Sequence, residues 1–209
     1  MSLRSIVLAT GNPGKLREIR QALGDLPIRM AGLEEYEGIE QPAETGRTFA
    51  ENARSKALYY ARATGQWCLA DDSGLVVDAL GGMPGVASAR YAADQCPQGA
   101  PRREIDRANN ARLLAALAGV ADERRAARFV CHLALAEAGR VLIETSGTLE
   151  GRIARTSAGE NGFGYDPIFY LPELECTLAQ LSAEHKNRIS HRGKAVRRFR
   201  ELLKEYLSR

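Results

Sequence analysis

Apolar positions along the chain fall into two rhythms, one of period two and one of three to four residues. "SIVLAT" (residues 5–10) is a short apolar run ended by "GNPGK", and it reads as a strand running into a turn. An amphipathic helix is predicted over residues 15–23, stopping at Gly24. A second starts at Thr48, which stands three residues before Glu51, the spacing of a capping box. Phe49, Ala53, Ala57 and Tyr60 give that helix its apolar stripe, and Gly65 its stop. A third is predicted over residues 103–117 from Ile105, Ala108, Leu113, Leu114 and Leu117, and a last one over residues 190–207, capped by Ser190, with Ala195, Phe199, Leu202, Leu203 and Tyr206 inward.

Between them, "WCLA" and "GLVVDAL" are strand-like runs on either side of an acidic stretch. Phe129, Cys131, Leu133 and Leu135 alternate in the first of two strands joined by a turn at Ala138 and Gly139. "LGGMPG" and "SAGENGFGYDP" are turn-rich loops. Strands and helices intermix throughout, with no repeat, low-complexity tract or linker, so the fold class expected is α/β with a mixed sheet. The 209 residues suit one globular unit spanning residues 1–209, in one lobe or two.

Charge and cysteine usage narrow the field. The net charge of +3, from 29 basic and 26 acidic residues, is no polyelectrolyte signature and gives no argument for a stable nucleic-acid partner. Four dispersed cysteines without a C-x-x-C pair, and three scattered histidines, speak against zinc. Neither a transmembrane span nor a leader follows Met1, so no membrane association is expected and the cytoplasm is the expected compartment.

Five stretches carry candidate chemistry. "TGNPGK" (Thr10, Gly11, Asn12, Pro13, Gly14, Lys15) ends a strand and opens a helix, as an anion cradle does; an ordinary turn with a solvated lysine looks the same. It lacks the glycine spacing of a Walker A loop. Asn52 and Lys56 share a helix face, which is either functional or a solvated edge. Asp71 and Asp72 stand in an apolar surround; in a strand they point to opposite faces, so one can be structural while the other enters a site. Glu44 is a candidate third carboxylate, and such hard oxygens suit Mg²⁺. The rival is a plain turn at Asp72, Ser73 and Gly74.

"GENGFGYDP" places Phe163, Gly164, Tyr165 and Asp166 where an aromatic ring can stack on a planar ligand, or where a hairpin simply turns; Gly162 and Gly164 would let backbone approach that ligand. In "HKNRISHRGKA", Lys186, His191 and Arg192 gather at a helix start, against the helix dipole unless an acceptor-rich partner compensates. Together these fit a Mg²⁺–polyphosphate ligand carrying a planar base.

"LATGNPGKLREI", "TFAENARSKA", "ADDSGLVVDALGGMPGVASARYA", "GRI…GFGYDPIF" and "ISHRGKA", in that order, resemble the signature segments of the inosine-triphosphate pyrophosphatase family, the dITP/XTP diphosphatases. The resemblance implies an elongated mixed sheet flanked by helices, in two lobes around a substrate cleft, and a homodimer. It implies Mg²⁺-dependent hydrolysis of non-canonical purine nucleoside triphosphates to monophosphate and pyrophosphate. Carried over by motif, Thr10 to Lys15 would hold the triphosphate with Asn52 and Lys56. Asp72 would accept the proton of the attacking water at a metal shared with Glu44 and, less directly, Asp71. Ser73, Phe163 to Asp166, Lys186, His191 and Arg192 would contact substrate. A relative acting on modified or pyrimidine triphosphates, and a non-catalytic nucleotide- or nucleic-acid-binding module, are the alternatives.

Overall fold

The computed structural model describes residues 4–208; the segment directly after Met1 therefore lies outside the described residues. Its strands are β1 (Arg4–Leu8), β2 (Ile28–Gly32), β3 (Trp67–Val77), β4 (Ala126–Glu137), β5 (Arg140–Ile153), β6 (Phe169–Leu171) and β7 (Cys176–Thr177). Its α-helices are α1 (Pro13–Leu23), α2 (Phe49–Thr64), α3 (Arg102–Ala116), α4 (Ala183–Ile189) and α5 (His191–Leu207). The hydrogen-bonded strand order is β2-β1-β3-β4-β5-β6-β7. β1 runs parallel to β2 and β3, whereas β6 is antiparallel to β5 and β7, so the sheet is mixed and the fold α/β, as expected. α1 and α2 are the crossovers that parallel pairing requires.

Helix ends follow local chemistry closely. The Thr48 hydroxyl accepts from the Glu51 N–H at 3.1 Å, but the Glu51 carboxylate reaches the Arg47 N–H at 2.7 Å, one residue earlier than a reciprocal capping box requires. Strand β2 and helix α4 were not anticipated: β2 is only five residues long, and α4 is a two-turn helix. Ser190, expected to open the last helix, stands directly before His191, the first residue of α5, and also closes α4, its N–H donating to the Lys186 carbonyl at 2.8 Å. The acidic stretch is no turn. β3 is continuous through Asp71, Asp72, Ser73 and Gly74.

The chain divides into two compact units. The first comprises, among the described residues, 4–72, 131–147 and 191–208. Strand alternation gives it two cores. Ile6, Leu8, Leu69 and Leu133 face α1 and α5, meeting Ile19, Leu23, Phe199 and Leu203. Val7, Ala31, Cys68 and Ala70 face α2, meeting Ala53, Ala57 and Tyr60. Each fully buried Leu, Ile or Phe contributes roughly 1.5–3 kcal/mol, whereas the small side chains beneath α2 contribute less but let the helix lie close to the sheet.

The second unit comprises residues 73–130 and 148–190. Its core contains Leu75, Val77, Leu113, Leu117, Phe129, Tyr165 and Phe169, with the Phe129 and Phe169 rings 4.6 Å apart. Arg125 is buried there without being spent on a carboxylate: it donates to the carbonyls of Leu117, Ile153 and Ala154. Of the expected α3 stripe, Leu113 and Leu117 are fully buried, but much of the rest of the buried face is polar. The buried residues within α3 are Asp106, Asn109, Asn110 and Leu113, while Ile105, Ala108 and Leu114 are only partly covered.

Candidate active site

The alternation that builds the first unit's two cores also separates the paired aspartates. Asp72 shares parity with Cys68 and Ala70 and therefore faces α2; Asp71 shares parity with Leu69 and faces α1 and α5.

On the α2 side, Asn52 and Lys56 stand one turn apart and both reach Asp72. Asn52 Nδ2 donates to Asp72 Oδ2 at 2.9 Å, and its Oδ1 accepts from the Gly46 N–H at 2.8 Å, so the amide ties the carboxylate to the loop before α2. Lys56 Nζ lies 2.7 Å from Glu44 Oε1 and 3.5 Å from Asp72 Oδ1. Burial raises the Asp72 pKa, prevailing over Lys56 and Asn52, which pull it down. Lys56 goes the other way: burial would lower its pKa, but Asp71, Asp72 and Glu44 outweigh it and hold the ammonium charged.

On the opposite side, Asp71 is enclosed by cations. Lys15 Nζ of α1 sits 2.6 Å from Asp71 Oδ2, and Arg192 Nε at the start of α5 lies 3.8 Å from the same oxygen. Arg192 also donates to Glu18 Oε2 at 2.5 Å. Burial would raise the Asp71 pKa, yet Lys15, Arg192 and Lys56 hold it below the usual carboxylate value. Burial likewise disfavours the Arg192 charge, and Asp71 and Glu18 more than restore it. The two basic residues at this helix start are buried, and carboxylates of the same chain compensate Arg192.

The turn at residues 10–15 is a helix cap more than an open cradle. Asn12 Oδ1 accepts from the N–H groups of Gly14 and Lys15, Thr10 Oγ1 accepts from the Asn12 N–H, and Pro13 occupies the first turn of α1. Amides expected to point at an anion are thus held within the turn. Lys15 remains the turn's charged group, and the space around Gly11 is open: a Cβ there would meet nothing within 4 Å.

In the second unit, the glycine-rich loop is organised by Asp166. Its Oδ2 accepts from the Phe163 N–H at 2.8 Å and from Lys186 Nζ at 2.6 Å, and that ammonium lies 4.4 Å from the Phe163 ring centroid. Gly162 and Gly164 both have positive φ, for different reasons. A Cβ at Gly162 would fall 2.1 Å from Asp166 Oδ2, so that glycine accommodates the carboxylate rather than a ligand; at Gly164 the space is open. Tyr165 turns into the core, its hydroxyl donating to the Ser88 carbonyl at 2.9 Å, and burial raises its pKa. Ser73 follows Asp72 directly in β3 and is half-buried.

Asp72 and Glu44 are the residues suited to a metal. Both present oxygen to one cationic point, now filled by the Lys56 ammonium. Among the described residues no three His, Cys, Asp or Glu side chains cluster as a complete metal cage. One or two carboxylates completed by phosphate oxygens and water is the usual Mg²⁺ arrangement, and this donor set fits it.

The Ham1 family model matches residues 6–202 of this sequence. The chain belongs to the Ham1 family. Among its relatives, the dITP/XTP pyrophosphatase of Gloeobacter violaceus is 50% identical over 197 residues, covering 94% of this chain and 93% of that one. The protein of the same name from Desulforamulus reducens is 48% identical over 198 residues, 95% of this chain and 94% of its own. The Ham1 protein structure from Coxiella burnetii superposes with a TM-score of 0.86 at 42% identity, covering 97% of this chain and all of the other. That of Staphylococcus aureus gives 0.84 at 39% identity, with the same coverage.

Three residues of this Ham1-family chain escaped sequence reasoning. Glu18, three residues after Lys15 on α1, reaches Arg192, 174 residues away, which no local pattern announces. Asp106 and Asn110 on α3 bond the backbone of Gly164. A signal for them existed: Asp106, Asn109 and Asn110 share one helix face, and a polar stripe that is buried must find partners.

Proposed function

We propose that the chain hydrolyses non-canonical purine nucleoside triphosphates, dITP and XTP among them, between the α and β phosphates, releasing a nucleoside monophosphate and pyrophosphate. Relatives named dITP/XTP pyrophosphatase at up to 50% identity over nearly the whole chain support it. The observation that carries it is the division of labour at the paired aspartates. One buried carboxylate, Asp72, is held by Asn52 and faces a second, Glu44, across a lysine, while its neighbour Asp71 anchors Lys15 and Arg192.

Chemistry follows from these positions. Asp72 and Glu44 would hold Mg²⁺, which when bound would supply neutralisation of phosphate charge as pyrophosphate departs. Asp72 orients the attacking water and takes its proton; burial, by raising its pKa, makes it the stronger base of the two aspartates. Lys15 and Lys56 offset the triphosphate charge, which for phosphoryl chemistry is most of the catalytic task. Phe163, backed by Lys186, offers a ring to the base. Arg192 can only donate, so it suits the 6-oxo group of hypoxanthine and xanthine and leaves the amino group of adenine facing a donor. Action as a homodimer in the cytoplasm accompanies this function on the strength of the family resemblance.

Pyrophosphate release from ITP, dITP, XTP, GTP, ATP and dTTP, with Mg²⁺ and with chelator, tests the proposal. Release from ITP, dITP and XTP that needs Mg²⁺, with little from ATP, is expected; GTP shares the 6-oxo group and measures discrimination beyond Arg192. Preference for dTTP would move the chain to the pyrimidine-directed alternative, and no release from any of them would leave a binding module.

A further inference from the structure

The loop that carries Phe163 is held from outside by a helix with no assigned role. α3 presents Asp106 and Asn110 one turn apart, and they grip the same residue from two sides. Asp106 Oδ2 accepts from the Gly164 N–H at 2.9 Å, and Asn110 Nδ2 donates to the Gly164 carbonyl at 3.1 Å. Both side chains are buried. Between them lies Asn109, whose Oδ1 accepts from the Ala92 N–H at 2.7 Å and whose Nδ2 donates to the Ser88 carbonyl at 3.3 Å. The Tyr165 hydroxyl donates to that same Ser88 carbonyl. Residues 163–165 are therefore fixed from both ends of a small polar lattice, all of it within the second unit.

Only one side of the Asn110 amide is hydrogen-bonded. Its Oδ1 is buried and has no hydrogen-bond partner among the described residues, a cost that a leucine at this position would not carry. What only the amide provides is the donor to Gly164. Gly164 gains from that grip, because its φ of +64° lies in the left-handed region and glycine has the most backbone freedom to lose.

We propose that Asp106 and Asn110 are positioning residues for nucleobase recognition: by clamping the Gly164 peptide they hold the Phe163 ring against Lys186 in the place where it meets the base. This rests on the assignment of Phe163 to the base under the proposed function. The clamp acts on base affinity and leaves phosphate binding and the hydrolytic step alone.

The test is kinetic. Asn110→Asp keeps the shape but sets an acceptor against the Gly164 carbonyl; Asp106→Ala removes the acceptor for its N–H, and Asp106→Asn restores one. Asn110→Asp and Asp106→Ala are expected to raise KM for dITP about tenfold with kcat within about twofold, and Asp106→Asn to recover most of the loss. Inhibition by inorganic tripolyphosphate, which has no base, is expected to keep the wild-type inhibition constant in all three. An unchanged KM in a folded variant overturns the proposal. So does a parallel loss of tripolyphosphate binding, or a kcat that falls with KM, since either marks a general structural defect. If Asn110→Asp does not fold, the Asp106 pair decides alone. Wild-type protein that releases no pyrophosphate from dITP sinks the functional assignment first and the clamp with it.

Discussion

Replacing Asp71 by asparagine removes the negative charge that Lys15 and Arg192 share, without altering the side-chain shape. The carboxylate side chain is 1% exposed, with Lys15 at 2.6 Å and Arg192, itself 4% exposed, at 3.8 Å. At an effective dielectric constant near 20, the two attractions are worth roughly 6 and roughly 4 kcal/mol before desolvation is counted. Desolvating three ions consumes much of that, and removing one member of a buried pair typically destabilises by about 3–5 kcal/mol. Asparagine still offers Lys15 an acceptor, and Glu18 still pairs with Arg192, so the lower end, about 3 kcal/mol, is expected. For a chain of this length that is a fall in Tm of roughly 6–12 °C.

Urea unfolding of both proteins in chelator, across pH, measures it. The Asp71 pKa is depressed on folding, so its contribution is fully present above the unfolded value of 3.8 and is lost as pH falls through the lower folded value. The gap between wild type and variant is therefore flat from pH 8 to pH 5 and closes only below 3.8. A gap under about 1 kcal/mol at pH 7, or one that shrinks between pH 8 and 5, refutes the role of Asp71 as the counter-ion of Lys15 and Arg192.

Asp72→Asn should do the reverse. Pyrophosphate release falls by about 10²–10⁴-fold, while the chelated protein unfolds at a higher temperature than wild type at pH 7. Burial raises the Asp72 pKa, so its ionised form costs folding free energy as pH rises through the folded value; a less stable variant contradicts this. Lys56→Met leaves Glu44 and Asp72 facing one another without their shared ammonium and should destabilise by about 3–5 kcal/mol. Added Mg²⁺ should recover more of its Tm than it adds to wild type, as calorimetry with and without the ion will show; equal shifts would mean that the two carboxylates do not share a cation.

Elements set by local chemistry were legible in the sequence. Thr48 and Gly65 bound α2, the alternation of Phe129 to Leu135 marks β4, and Ala195, Phe199 and Leu203 mark the buried side of α5. The split of Asp71 and Asp72 onto opposite faces follows from strand geometry alone, and so does the shared face of Asn52 and Lys56. Illegible were features set by distant partners. Asn12 reads in sequence as a side-chain donor, and that its oxygen caps α1 emerges only in the fold. Tyr165 reads as part of a glycine-rich aromatic loop, and its bond to the Ser88 carbonyl, 77 residues away, has no local signal. On α3 the apolar pattern marks Leu113 and Leu117, both buried, but not Asp106, Asn109 and Asn110, whose partners lie in two other loops.

The adjacency of Asp71 and Asp72 then has a physical reason. Two buried carboxylates with no intervening residue would repel at the same site, but strand alternation delivers them to different layers, Asp71 beside Lys15 and Arg192 and Asp72 beside Lys56. Asp71 is held ionised by Lys15 and Arg192, and in return fixes both cations where α1 and α5 begin. Asp72 is left with a raised pKa and a single lysine shared with Glu44, which keeps it basic and able to take a metal or a proton. A spacer between them would place both on one face, where the cations that stabilise the first would quench the basicity of the second. One peptide unit of β3 thus separates the charge that holds the site together from the charge that reacts.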